Sequence, residues 1–368
     1  MEGTNQPAET PPEQKTKKKI SRRTVFLIVL ISLIVLLAGY GIYRRYFTRE
    51  GESSIFSKLR KSVTTAPQAL STLDGQFHNQ GTANRHPLAI MIENSPEARP
   101  HSGLTSASLI YEAITEGGIT RFMAVFGPEG SDKIGPVRSA RGFFLDWAAE
   151  YDAFYAHVGG SQEALDRIGS EGIKDLNQFG IGTKAFWRVP QAGKATEHTM
   201  YTDTGKLWDI AQKNGWSLAS SFDALSFKRD ALTSERATAQ TIKINFSSPT
   251  FEVIWQYNPS DNLYYRKLGG TAHKDAKEGK QLTAKNVIVQ EVSHWQEAYQ
   301  GKDVWKMTTT GEGKVKVFMD GKITEGTWKK ASQKSRTKFY DNNGKEISFN
   351  PGVFWYEIVP PESPVTVQ

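Results

Sequence analysis

Between Thr24 and Tyr43 the chain runs for 20 residues without a charge, and most of them are Leu, Ile, Val or Phe. At about 1.5 Å of rise per residue, a helix of that length spans roughly 30 Å, the thickness of a hydrocarbon core. A helix also satisfies its own backbone N–H groups, which lipid cannot. The pattern predicts one membrane-spanning helix over 24–43, with Tyr40 and Tyr43 at an interface. The competing reading is a cleaved signal sequence. Such segments ordinarily hold about 7–15 apolar residues before a small-x-small site, whereas Ala38, Gly39 and Tyr40 lead into Arg44 and Arg45. The uncleaved anchor fits better.

After the apolar run, residues 44–85 are polar and lack periodicity, which predicts a stalk with at most a little helix near Ile55–Leu59. From His86 the texture changes. Leu88–Ile92, Ser108–Glu112 and Ile119–Phe126 are compact runs of strand type. Phe143, Phe144, Trp147 and Ala148 fall at helical spacing, predicting a helix from Ala140 to Glu150 with Ser139 as its N-cap. Asp152–Val158 returns to strand, Ser161 opens a short helix through Ile168, and a further helix is expected from about Lys206 to Asn214. Beyond 240 the pattern is all β. Runs at Thr241–Phe246, Phe251–Tyr257, Leu263–Lys267, Asn286–Val292, Lys314–Met319, Ile323–Trp328, Lys338–Tyr340, Ile347–Phe349 and Val353–Val359 are separated by turn signals. Among these, Asp320-Gly321 and Asn343-Gly344 are hairpin dipeptides.

The expected organisation is therefore a basic tail over 1–23, the helix over 24–43 and the stalk over 44–85. An α/β (or α+β) layered ectodomain at 86–235 and a small all-β domain, a barrel or sandwich, at 240–362 complete it.

Charge adds orientation. Residues 1–43 carry six Lys or Arg against three Glu, leaving 40 bases and 36 acids in the remainder, so much of the formal +7 sits beside the apolar run. The body is near balance, which argues against nucleic-acid binding. Six bases precede the helix, while Arg44, Arg45 and Arg49 after it are offset by Glu50 and Glu52. That bias puts the N-terminus in the cytoplasm and the body outside. The absence of cysteine suits an oxidising side, and removes both disulfides and thiol lipidation.

Candidate chemistry concentrates between 93 and 201. Gly135–Arg141 reads Gly-Pro-Val-Arg-Ser-Ala-Arg, and Gly159, Gly160 and Ser161 form a second turn before a helix. A helix start presents free N–H groups, and Arg138 and Arg141 add two planar forks suited to phosphate or carboxylate. Arg121, Ser139 and Arg188 complete the expected anion cradle, with Glu112 and Glu116 orienting the arginines. The bland alternative is that Ser139 and Ser161 only cap helices while Arg138 and Arg141 pair with Glu112 or Glu116. As an enzyme, the chain would use Glu112, Glu116 or His198 as acid or base. A Ser161 nucleophile is disfavoured, because its context is not G-x-S-x-G. The seven histidines show no metal-ligand spacing, and a carboxylate site for Mg²⁺ or Ca²⁺ from Glu93, Glu112 and Glu116 has no Asp/Asn loop to support it, so neither metal nor cofactor is expected. Trp295, Trp305, Trp328 and Trp355 offer stacking surfaces for a partner but are read chiefly as core.

These strings resemble a known family. Pro87–Asn94, Ala98–Leu104, Glu116–Arg121, Ile134–Arg141 and His157–Ser161 are similar to the YerB-like lipoproteins, a bacterial envelope family of unknown function. Gly326–Trp328, Asp341–Lys345 and Pro351–Trp355 resemble its separate C-terminal domain. The likeness spans about 86 to 362 and implies a bacterial, envelope-facing, two-domain protein with no established reaction. Many members carry a lipidated cysteine that this chain lacks, which leaves the apolar helix to anchor it. Membrane lipid through 24–43 and an anionic cell-envelope polymer are the expected partners. An envelope hydrolase or transferase and a protein-interaction scaffold are the alternatives.

Overall fold

A computed structural model of the chain describes residues 22–47, 67–361 and 363–368. The chain divides into two compact units, Met1–Thr65 and Ala66–Gln368. In the first, a single helix covers Arg22–Phe47, and Phe26, Leu27, Leu33, Ile34, Leu36 and Leu37 are all exposed. Over the described residues no helix is long and apolar enough to cross a membrane. The basic tail before Arg22 and the helix expected near Ile55–Leu59 lie outside the described residues.

The second unit is built on a ten-stranded mixed sheet. From edge to edge its strands are Lys338–Asp341, Lys322–Lys330, Gly311–Met319, Asn286–Glu291, Phe354–Val359, Leu109–Ile114, Thr120–Phe126, Leu88–Glu93, Phe154–His157 and Lys174–Asn177. Phe354–Val359 runs parallel to Leu109–Ile114 in the middle of this sheet, with Tyr356 opposite Tyr111 and Glu357 opposite Glu112. The boundary expected near 235–240 thus divides the segments in sequence but not in space. Nor does the later segment close into a barrel or sandwich of its own. Its strands Thr241–Asn245, Glu252–Asn258 and Leu263–Leu268, with Thr271–Ala272, Thr283–Ala284 and Val365–Val367, form a second sheet; His294–Tyr299 and Lys302–Met307 pair as a separate hairpin, and the rest extend the large one. The reason lies in burial: all six residues of Phe354–Val359 are buried, as are all six of Leu88–Glu93 and of Leu109–Ile114. Strands covered on both faces belong at the centre of a layered sheet.

Alternation sorts the core into two layers. Ile90, Ile92, Phe122, Ala124, Val289 and Trp355 meet Ile242, Ile244, Val253 and Trp255 of the second sheet, together with Leu207 and Trp208 of helix Thr204–Lys213. Met91, Met123, Val125, Tyr111 and Tyr356 meet helix Gly142–Ala149 on the other face. In that helix Phe143, Phe144 and Trp147 are buried, each contributing roughly 1.5–3 kcal/mol.

Several local expectations change. The stalk ends earlier than 85, because Gln68–Leu70 pairs with Phe77–Asn79 and Leu73 and Ala83 are buried in the body. The helix expected from Ala140 starts at Gly142 and has Arg141, not Ser139, at its N-cap, with no side-chain cap bond. Residues 137–140 are held extended instead, with Val137 bridged to Ile92 and Ala140 to Gly160. Ser161 does cap, accepting from the Ala164 N–H at 3.2 Å. Ile347–Phe349 is no strand and keeps only an isolated bridge from Phe349 to Phe227. The Asp320-Gly321 turn forms as its sequence implies, both residues having positive φ between Met319 and Lys322. Of the tryptophans, Trp328 and Trp355 are core and Trp295 is exposed.

Candidate functional site

Leu88–Glu93, Phe154–His157 and Lys174–Asn177 are mutually parallel, so their C-terminal ends share one edge of the sheet. Thr120–Phe126 runs against Leu88–Glu93 and begins at that edge, with Arg121 opposite Glu93. The Gly135–Arg141 segment is stitched alongside: the Arg138 N–H donates to the Met91 carbonyl at 2.9 Å and the Ala140 N–H to that of Gly159 at 2.9 Å. Gly135 makes the approach possible. Its φ is +149°, and a Cβ there would stand 2.7 Å from the Met200 carbonyl oxygen. Arg138 and Arg141 are thereby gathered beside Arg121, at the start of its strand, where open α/β sheets hold their ligands.

Their states differ. Arg141 is committed: its Nε and Nη2 donate to the two carboxylate oxygens of Glu116 at 2.6 and 2.8 Å, and its Nη1 to the Ala140 carbonyl at 2.7 Å. Burial resists the charge on Glu116, but Arg141 overcomes it and holds that carboxyl below its ordinary range. Arg138 is a quarter exposed; its Nε lies 3.3 Å from Glu93 and its Nη2 3.9 Å from the exposed Glu197. Arg121 is only 6 % exposed. Its Nη1 donates to the Ser139 carbonyl at 2.8 Å, and no carboxylate pairs with it among the described residues. Its Nε and Nη2 are not among the partnerless atoms sealed from solvent. Burial first, then the nearby Arg141 and Arg138, bring its pKa down to about 9. A cation so placed lacks an anion.

The other expected residues fall into two groups. His198 joins the cluster, donating from Nδ1 to Glu93 at 2.9 Å. Gly159, Gly160 and Ser161 clasp the 138–141 segment, and the N–H groups of Gly159 and Ser161 are taken by Asn177 Oδ1 and the Ala140 carbonyl. Arg188 is exposed and donates to the Thr196 carbonyl. Ser139 contributes its carbonyl, not its hydroxyl.

Glu112 is apart. It is fully buried, accepts from Thr120 Oγ1 at 2.6 Å and from Asn94 at 3.2 Å, and pairs with Arg266 of the second sheet. Sequence reasoning missed this partner and everything linked to it. Arg266 Nη1 donates to His273 Nδ1 at 2.5 Å, His273 Nε2 and His101 Nδ1 are 2.9 Å apart, and His101 Nε2 is 2.8 Å from the Glu93 carbonyl. Because that carbonyl only accepts, one direction satisfies every nitrogen: each donor points from Arg266 towards Glu93. Burial pushes the pKa of His101 down to about 3 and that of His273 well below its ordinary value, so both rings stay neutral. The lone Glu357 within the apolar and aromatic run Phe354–Val359 was the available signal.

Among the described residues no group of three or more His, Cys, Asp or Glu is arranged to hold a metal. Two cavities of about 440 and 450 Å³ are lined by Glu150, Lys174 and Arg336 and by Asn177, Lys206 and Lys213, with none of the three clustered arginines in their walls.

Fold and site define a mixed α/β body in which an N-terminal and a C-terminal segment share one sheet. The chain belongs to the DUF3048 family of proteins of unknown function: residues 73–217 match its N-terminal domain and 242–356 its C-terminal domain. It is 29% identical over 297 residues to YerB of Bacillus subtilis (strain 168), a protein named as a lipoprotein, covering 80% of this chain and 88% of YerB. The crystal structure of the YerB protein from Bacillus subtilis superposes with a TM-score of 0.72 at 26% identity, covering 81% of this chain and 99% of that one.

Proposed function

We propose that the chain is a membrane-anchored envelope protein that binds an anionic, phosphate- or carboxylate-bearing envelope polymer at the Arg121–Arg138 edge. The observation that carries the binding is Arg121, a nearly buried guanidinium with open N–H groups and two more arginines beside it. Arg138 supplies a second fork, and Glu93 and His198 hold it in place. Arg141 acts as a support through Glu116. The anchor reading rests on the uncharged stretch Thr24–Tyr43 within a helix whose described apolar side chains are exposed all round. YerB carries a lipoprotein name, but this chain has no cysteine to lipidate.

Binding is tested with the full chain in detergent and purified anionic cell-envelope polymer. Arg121→Gln with Arg138→Gln is expected to abolish retention; unchanged retention ends the reading. The topology is tested by protease on intact cells, which is expected to digest the body while leaving the N-terminal tail protected. A body that is cut only after the cells are opened inverts the orientation.

A further inference from the structure

The charge balance of the cluster bears on which anion it takes, and the inference rests on the binding reading above. The charges acting most on Arg121 are Arg141 and Arg138 on one side and Glu116 and Glu93 on the other. Among these five groups three arginines face two carboxylates, an excess of a single positive charge. The rim does not alter it. Glu197, 56% exposed at its side chain, lies 3.9 Å from Arg138, and Lys194, which donates to the Arg99 carbonyl at 2.9 Å and feels Glu93, offsets it. The free donors agree in number with a small ligand. Arg121 keeps Nε and Nη2 uncommitted, and the Arg138 guanidinium makes no hydrogen bond among the described residues.

We infer that the site selects a singly charged anion with two accepting oxygens, a phosphodiester or a carboxylate, over a doubly charged phosphomonoester. A monoanion cancels the excess and gives each arginine an oxygen. A dianion would leave one charge facing Glu93 and Glu116 without a counter-ion, in a site where Arg121 is desolvated and Coulomb terms are large. The carboxylates already present thus act as a filter on ligand charge.

The test uses the full chain in detergent micelles at pH 8 and fixed ionic strength, titrated calorimetrically with dimethyl phosphate, acetate and monomethyl phosphate. The last is doubly charged there, since the second phosphate pKa is about 6. Dimethyl phosphate, acetate or both are expected to bind, with monomethyl phosphate no tighter than the better of them. The relative strength of the first two tells diester from carboxylate. Arg138→Gln, partly exposed and tolerant of change, should weaken binding by about tenfold or more, the size of one charge-assisted contact; Arg121→Gln should do the same. If monomethyl phosphate binds tenfold tighter than either monoanion, the charge filter is wrong while the anion site stands. If none of the three binds, or binding survives both substitutions, the anion site itself falls.

Discussion

Glu357→Gln should stabilise this protein at neutral pH, although it alters a fully buried charged residue. Glu357 and Glu112 are register partners on adjacent parallel strands, both 0% exposed, and Arg266 is the one cation paired with them among the described residues. Glu112 holds the donors of Asn94, Thr120 and Arg266. Glu357 receives only the Trp255 indole N–H at 2.7 Å, and its second oxygen has no partner. Burial, then the proximity of Glu112, pushes its carboxyl well above the ordinary range, so Glu357 keeps a proton that its unfolded counterpart releases near pH 4.3. The raised pKa fixes the sign: its contribution is most favourable below the unfolded value and is lost as pH rises towards the folded one. The loss is about 1.4 kcal/mol for each pH unit between those two values. Glutamine keeps the shape and a donor, at a cost of about 1 kcal/mol, and carries no such pH term. Denaturant unfolding of the detergent-solubilised chain should show Glu357→Gln no more stable than the native protein at pH 4 and more stable at pH 7, the difference growing with pH. Glu112→Gln should instead cost about 3–5 kcal/mol, because it strands Arg266. A Glu357→Gln effect that is destabilising at pH 7, or equal at both pH values, would refute the shared-proton argument.

Other outcomes follow from the same structure. Gly135→Ala forces a side chain into a positive-φ position against the Met200 carbonyl and should cost about 2 kcal/mol or more in unfolding experiments. Arg141→Gln removes a partly exposed bidentate pair, so a stability loss of about 1–2 kcal/mol is expected in denaturant unfolding. Ile34→Arg, in the middle of the apolar helix, should cost about 2.5–3.5 kcal/mol of membrane insertion. Alkaline extraction of membranes then releases more of the variant, and unchanged retention would speak against the span.

Much of this architecture follows from short-range pattern alone. The runs at Leu88–Glu93 and Phe354–Val359, apolar but for one Glu each, announce strands, Asp320-Gly321 states its turn, and Ser161 caps the helix that it precedes. Each is decided by residues within a few positions of one another. What the tertiary structure decided is who meets whom. Ser139 is as good a cap by type as Ser161, but bridges to Ile92 and Gly160 hold its neighbours extended, and the helix waits until Gly142. Arg138 and Arg141 look equivalent in their motif, yet Glu116 occupies one fork and leaves the other open. Glu112, apparently a companion of those arginines, turns to Arg266, 154 residues away. A charge inside a low-dielectric core takes whichever counter-charge the sheet order brings within reach. That order is set by the burial of whole strands, which no local spacing encodes.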